Sequence, residues 1–279
     1  MSDSEVDGGI PLIEDEFSIV PDSKKRKRND DPEEKTLSKA EQKRLKRKKQ
    51  RKLKAKAIDN DQLDQELSVN HSFEHMDSQL LSDYINQRTR HYGKELSTVE
   101  LEDKFIPARF IQDSSSFSKP RTLENLAEFL KSQNSKSMTP TPKTPSGAPH
   151  TLVITASGIR AADAFRSLRN DLPKQGVKNP SVAKLFAKHI KLAESIEHCS
   201  KYKMDFGVGT PDRISALLEQ GALSTVNLKR IVVDVSYIDS KKRGILDMKE
   251  LHEPLIKLLL RKEFKGEDNE VKSKLLLFF

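Results

Sequence analysis

The sequence is poor in cysteine, in large apolar side chains and in long apolar runs. Cys199 is the only cysteine among 279 residues, so no disulfide can form within the chain, and a reducing compartment is expected. Only 35% of the residues are hydrophobic and 33% are charged, which is too polar for a compact globule throughout. No apolar stretch approaches the roughly 18 residues of a membrane span. The acidic N-terminus has no apolar segment and is unlike a signal peptide.

The net charge of +8 is concentrated in one segment near the N-terminus. Residues 1–23 carry seven acids and no lysine or arginine, whereas residues 24–56 carry 17 Lys and Arg against 5 Asp and Glu. The rest of the chain is close to neutral. A basic tail on a near-neutral body favours a polyanionic partner, most often nucleic acid. We therefore predict a disordered acidic and basic tail over residues 1–70, with a polar linker at 58–72, and a folded domain over 71–279.

Two basic clusters lie within this tail. The first is "KKRKR", which comprises Lys24, Lys25, Arg26, Lys27 and Arg28. Such a cluster serves as a nuclear localisation signal or a nucleic-acid patch, or is simply a solvated charge run. The second spans Ser38–Ala57 and is rich in helix formers but has no apolar face, so we expect a helix only when phosphates neutralise it. Its candidate RNA contacts are Lys43, Arg44, Arg47, Lys48, Lys49 and Arg51.

Two helices and a loop are predicted between the tail and residue 151. The first helix lies within Met76–Gly93 and has an apolar stripe of Leu80, Leu81, Tyr84 and Ile85. The second covers Thr122–Gln133. Residues 134–150 contain four prolines and are predicted to be a flexible loop. Its Thr-Pro pairs, which are either proline-directed phosphorylation sites or part of a spacer, are at Thr139, Thr141 and Thr144.

From residue 151 onwards, short apolar runs alternate with helical patterns. The predicted strands are "TLVIT", "DFGVG", "RIVVDV" and "KLLLFF". The predicted helices are "SGIRAADAFRSLRN", "SVAKLFAKHIKLAESIEH", "PDRISALLEQG" and "GILDMKELHEPLIKLLL", the last perturbed at Pro254. Strands that are apolar throughout and alternate with helices indicate a parallel α/β sheet with helices on both faces.

Two of these turns resemble motifs of the DEAD-box RNA helicases. "LVITASGIRAA" resembles the strand and turn of motif Ia, and "GVGTPDRI" resembles motif Ib, usually "GTPGR". Motif II, Asp-Glu-Ala-Asp in those helicases, aligns with "DVSY", which begins at Asp234. The resemblance implies a RecA-like domain whose motifs are degraded.

The residues that hydrolyse ATP in such a domain are missing. ATP hydrolysis needs a glycine-rich phosphate loop of the form GxxxxGK[ST], and the sequence contains none. Val235 stands where the resemblance places the glutamate that positions the attacking water. A lone Asp234 would hold magnesium poorly without phosphates, and the simpler interpretation is a polar strand end. We therefore predict no catalytic residue, no metal and no cofactor; His71 and His75 lack a further ligand pair.

The "GTPDR" turn keeps features that suit a phosphate. Thr210 and Pro211 fit the N-cap and first position of a helix, whose N-terminus offers free amides and a positive dipole. The helicase resemblance implies RNA-backbone contacts at Gly209, Thr210 and Arg213, with Ser157 from the motif Ia turn. The alternative is that the turn only starts a helix and that Arg213 is solvated.

A second resemblance is more specific. "KLFAKHIKLAE", "GVGTPDRI" and the final "KLLLFF" resemble the Cms-one family of nuclear proteins with a motif-poor helicase-like domain. The resemblance implies a non-catalytic nuclear factor of the small-subunit processome. Within the nucleus, the nucleolus is the expected location. The implied partners are pre-rRNA or snoRNA and pre-ribosomal assembly proteins, with no membrane and no small-molecule substrate. Two alternatives remain open: a regulator linked to DNA replication and the cell cycle, and a cryptic ATPase or half-helicase.

Overall fold

The structure is a computed structural model that describes Arg47 and residues 61–133, 145–172, 180–265 and 275–279. By contact density the chain divides into a unit of residues 1–50 and a unit of residues 51–279. Apart from Arg47, everything described belongs to the second unit. None of the helices in these residues is long and apolar enough to cross a membrane.

The centre of the second unit is a five-stranded parallel sheet. Its strands are β3 (Thr151–Ile154), β4 (Val182–Leu185), β5 (Phe206–Gly209), β6 (Arg230–Val233) and β7 (Leu275–Phe278), in the order β4-β5-β3-β6-β7. Ile154 in the middle strand lies beside Gly209 on one side and Val233 on the other, so the strands end level with one another. All four residues of β3, β5 and β6 are buried, as the apolar runs predict for a sheet covered on both faces.

Helices pack against both faces of this sheet. One face carries α1 (Ser78–Tyr92), α6 (Pro211–Glu219) and α7 (Lys249–Leu259), and the other carries α3 (Leu123–Gln133) and α4 (Gly158–Asp171). Helix α5 (Leu192–Lys201) packs beside α6, and the described residues also form the short helices α2 (Thr98–Glu102) and α8 (Lys262–Lys265). The predicted fold class, a RecA-like parallel sheet with helices on both faces, is confirmed.

Strand β4 corrects the prediction of one continuous helix over "SVAKLFAKHIKLAESIEH". The first part of that segment is β4, and the helix begins only at Leu192. Ala183 and Leu185 are buried while Lys184 between them is exposed, which is the alternation of a strand at the edge of a sheet. The alternation is difficult to recognise in the sequence because lysine and alanine favour helices. Hydrogen bonding to β5 outweighs this helix propensity in the folded protein.

A hairpin replaces most of the linker predicted over residues 58–72. Strands β1 (Leu63–Asp64) and β2 (Val69–Asn70) pair antiparallel, and the amide of Asn70 donates to the carbonyl oxygen of Ser236 at 2.7 Å. Val69 is fully buried. The linker prediction was wrong because two residues of β2 are anchored to the loop after β6, and a contact so distant in sequence leaves no local pattern.

The predicted helices outside the β4 segment are present, with differences at their ends and faces. In α1, Leu81 and Ile85 are buried, but Leu80 is 55% exposed and does not belong to the apolar stripe. The last large helix, α7, begins at Lys249 rather than at Gly244. Pro254 lies inside α7 without ending it. The proline removes one helical hydrogen bond, and the apolar residues around it are buried and hold the helix.

Candidate nucleic-acid interface

The turns that carry the candidate RNA contacts meet at the carboxyl edge of the sheet. Ser157 follows β3 and begins α4, and Thr210 follows β5 and begins α6. Strands β3 and β5 are hydrogen-bonded neighbours, so both turns emerge side by side. Helix N-termini carry positive partial charge, and two of them therefore face the same side of the sheet.

The two cap positions differ in what their hydroxyl groups do. The Ser157 side chain accepts a hydrogen bond from the amide of Arg160 at 3.2 Å and caps α4. Thr210 occupies the N-cap of α6, as predicted, but its side chain makes no capping bond. Pro211 is at the first helical position, also as predicted. The Ser157 hydroxyl is therefore engaged within the protein, whereas Thr210 holds its place through its backbone.

Gly209 has a structural reason to be glycine. A Cβ atom built on Gly209 would overlap the carbonyl oxygen of Leu185 in β4. The amide of Thr210 donates to that same carbonyl at 3.3 Å. The missing side chain thus lets β5 approach the edge strand closely.

Arg213 is bound within the protein rather than solvated. Its Nη1 donates to the Ser195 hydroxyl at 2.8 Å and its Nη2 donates to the carbonyl oxygen of Ile190 at 2.9 Å. The side chain is half-buried. Arg213 therefore fastens the loop between β4 and α5 to the first turn of α6, and the alternative of a free surface arginine is wrong.

That loop carries positive charge that the sequence analysis did not identify. Lys188, His189 and Lys191 are all exposed. A Cβ atom on Gly158 would lie 3.2 Å from the Cβ of Lys188, so the loop rests against the start of α4. His189 has a positive φ of 59°, which turns the chain there. The basic residues of the segment "KHIK" could have indicated this surface. Because the sequence predicted a helix there, it gave no sign that the segment lies near the Ser157 and Thr210 turns.

The carboxyl end of β6 is closed by an ion pair. Asp234 accepts two hydrogen bonds from Arg160, at 2.7 Å from Nε and at 3.2 Å from Nη2. The Asp234 side chain is 2% exposed and that of Arg160 is 10% exposed. The guanidinium also lies 4.3 Å from the centre of the Tyr237 ring. The carboxylate that aligns with a magnesium contact of the helicases is thus paired with an arginine of this chain.

Nearly all of the remaining predicted residues belong to segments that the structure does not describe. The nuclear-localisation candidates Lys24–Arg28 and the Thr-Pro sites belong to these segments. Of the basic segment only Arg47 is described, as an exposed helical residue. In the described ranges no group of three or more His, Cys, Asp or Glu residues could hold a metal ion. His71 instead lies 2.8 Å from a carboxylate oxygen of Glu74.

Related proteins cover most of this chain. It is 49% identical over 223 residues to Protein CMS1 of Chaetomium thermophilum, which spans 79% of this chain and 87% of the relative. It is 37% identical over 201 residues to Protein cms1 of Schizosaccharomyces pombe, and this match covers 71% of this chain and 69% of the relative.

Among solved structures, the chain resembles a DEAD box protein from Methanococcus jannaschii. The identity is 20%, the TM-score is 0.29, and the match covers 47% of this chain and 31% of the other. The family model described as "CMS1: U3-containing 90S pre-ribosomal complex subunit" matches residues 20–278. The chain therefore belongs to the CMS1 family of 90S pre-ribosomal complex subunits, whose role is in ribosome biogenesis.

Proposed function

We propose that the chain is a non-catalytic assembly factor of the small-subunit processome that binds RNA and acts in small-subunit rRNA processing. In this proposal the carboxyl edge of the sheet contacts the RNA backbone. The basic segment of residues 24–56 adds a sequence-independent electrostatic contribution. The site of action is the nucleus, and within it the nucleolus, where 90S pre-ribosomes are assembled.

The observation that carries the proposal is the exposed charge at this edge. Lys188 lies beside the start of α4, and the loop that also carries the exposed Lys191 is bound to the first turn of α6 through Arg213, so lysine charges and helix dipoles act on neighbouring parts of this edge. Arg213 stabilises the loop that carries these residues by donating a hydrogen bond to the carbonyl oxygen of Ile190. Backbone phosphates are the natural ligands of such a surface, and they can be bound without reading a base.

The buried ion pair supports the non-catalytic part of the proposal. To bind magnesium, Asp234 would have to leave Arg160, and a buried guanidinium would lose its partner. Together with the missing phosphate loop, this leads us to expect no ATP turnover. Phosphate release by the purified protein, with and without RNA, should equal that of buffer. Turnover above that of buffer that is lost in the folded double variant Arg160→Met with Asp234→Leu, which removes both charges, would contradict the proposal.

The RNA partner can be identified by crosslinking the protein to RNA in cells. We expect reads from pre-rRNA or from a small nucleolar RNA. The matched control is a variant with Lys188→Glu and Lys191→Glu, in which the reads should fall while the protein is still recovered with other 90S components. Absence of RNA from both proteins would contradict the proposal and favour a regulator that works through proteins or DNA.

A further inference from the structure

The loop between β4 and α5 is anchored on both sides and exposed at its tip. Phe186 is buried, and the half-buried Ile190 packs against the core on the α4 side of the sheet. The carbonyl oxygen of Ile190 also accepts a hydrogen bond from Arg213 at 2.9 Å. Lys188 and His189 lie between these anchors and are both exposed. The loop therefore presents two polar side chains to solvent from a backbone that is tied to the fold.

The tip is a tight turn in which His189 occupies a position that favours glycine. The amide of Ile190 donates to the carbonyl oxygen of Ala187 at 3.2 Å, so residues 187–190 form a β-turn. His189, the third residue of the turn, has a φ of 59°, whereas Lys188 before it has no positive φ. This is the pattern of a type II turn, whose third residue is usually glycine or asparagine because other side chains are strained there. The histidine therefore goes against the local preference of the backbone.

No internal contact explains why this position holds a histidine. Among the residues that the structure describes, the ring of His189 makes no hydrogen bond, ion pair or contact with another ring. Glycine or asparagine would form the same turn with less strain. Side chains that depart from a local preference without an internal gain occur mainly where a protein meets a partner. The exposed ring is therefore available to an external group.

The surroundings of His189 combine positive charge with an exposed apolar side chain. Lys188 and Lys191 are exposed on the same loop. A Cβ atom on Gly158 would lie 3.2 Å from the Cβ of Lys188 and 3.7 Å from its amide nitrogen. Ile159 follows Gly158 in α4 and is 61% exposed. Lysines suit phosphates, whereas a flat ring and an apolar side chain suit the face of a base, and RNA offers both only where its bases are unpaired.

We propose that the His189 ring stacks on an unpaired base, so that the carboxyl edge of the sheet binds single-stranded RNA through a base as well as through phosphates. Lys188 and Lys191 bind the neighbouring phosphates, and Ile159 adds an apolar contact beside the ring. The stacking does not distinguish one base from another, because every base has such a face. This inference rests on the RNA contact proposed above and specifies the form of RNA that the contact accepts.

RNA without bases separates stacking from phosphate binding. The probes are a labelled oligouridine of about 12 nucleotides and a strand of the same length and charge whose nucleotides are abasic. With the full-length protein at one salt concentration, we expect the oligouridine to bind roughly five- to tenfold more tightly, as stacking on one ring predicts. His189→Asn removes the ring and suits a positive φ, so this variant should bind both probes alike at an unchanged melting temperature. His189→Tyr supplies an uncharged ring and should restore the preference.

Three results would overturn the stacking of His189 on a base. They are equal binding of the two probes by the unchanged protein, a preference that survives in His189→Asn, and a folded His189→Tyr variant that lacks it. Equal losses on both probes in His189→Asn would also do so, because the ring would then act on phosphates. The double variant Lys188→Glu with Lys191→Glu tests the RNA contact itself. If it weakens binding of both probes while no base preference exists, only the stacking is wrong; if it changes neither affinity, the proposed RNA contact is wrong as well.

Discussion

The loop after β4 and the turn after β6 end at the same edge of one sheet and use their charges in opposite ways. After β6, the carboxylate of Asp234 is buried and paired with Arg160. After β4, Lys188 and Lys191 are exposed to solvent. The first arrangement uses charge to hold two segments of the protein together, and the second leaves charge free for an external anion.

Under the function proposed above, this difference would let a RecA-like sheet bind RNA without nucleotide chemistry. The position that would handle magnesium is closed by an internal cation, while the neighbouring turns still present helix N-termini and lysines. Polar residues at the carboxyl edge are therefore not one functional unit. The geometry of each side chain decides whether it stabilises the fold or faces a partner.

The largest expected effect comes from breaking the ion pair. Arg160→Ala leaves the Asp234 carboxylate buried without its partner, and we expect a loss of about 3–5 kcal/mol in the free energy of unfolding. Denaturant titration of the purified protein measures this. The control is the double variant Arg160→Met with Asp234→Leu, which removes both charges and should recover most of the loss. A silent Arg160→Ala variant would mean that the pair does not stabilise the fold.

The next largest effect is expected at Arg213, and it tests whether this side chain stabilises the fold or contacts RNA. Arg213→Ala loses hydrogen bonds to Ser195 and Ile190, and we expect the free energy of unfolding to fall by about 2 kcal/mol. Chemical denaturation of Arg213→Ala beside Arg213→Lys, which can keep one of the bonds, measures the effect. Unchanged stability together with a tenfold loss of RNA affinity would make Arg213 a direct RNA contact instead.

Much of the sheet was predictable because its inner strands are short, continuous apolar runs. Strand β4 was not, since a lysine- and alanine-rich edge strand has local preferences close to those of a helix. The misassigned strand also concealed the basic loop that follows it. The Asp234–Arg160 pair joins residues 74 positions apart, and nothing in either local pattern indicates such a contact.

The smallest expected change in stability comes from removing the hydroxyl groups at the N-caps of α4 and α6. Ser157→Ala loses a side-chain cap on α4 and should cost about 1 kcal/mol of stability. Thr210→Ala loses no capping bond and should cost less than about 0.5 kcal/mol. Thermal unfolding of both variants under one condition gives the comparison. An equal or larger loss for Thr210→Ala would show that its hydroxyl has a role that the structure does not assign.

We expect the carboxyl edge of the sheet, and not merely the net charge of the protein, to bind RNA. The direct test compares two double variants of equal charge change in a protein that lacks residues 24–56. Lys188→Glu with Lys191→Glu changes the carboxyl edge. Lys131→Glu with Lys229→Glu changes exposed lysines near the amino edge, where the carbonyl of Leu130 binds Arg230 at the start of β6.

The measurement is the affinity of each variant for one single-stranded RNA at one salt concentration. We expect the carboxyl-edge variant to lose about tenfold or more, since it removes two phosphate contacts, and the amino-edge variant to lose about twofold or less. Equal losses in the two variants, with both proteins folded, would contradict RNA binding at the carboxyl edge.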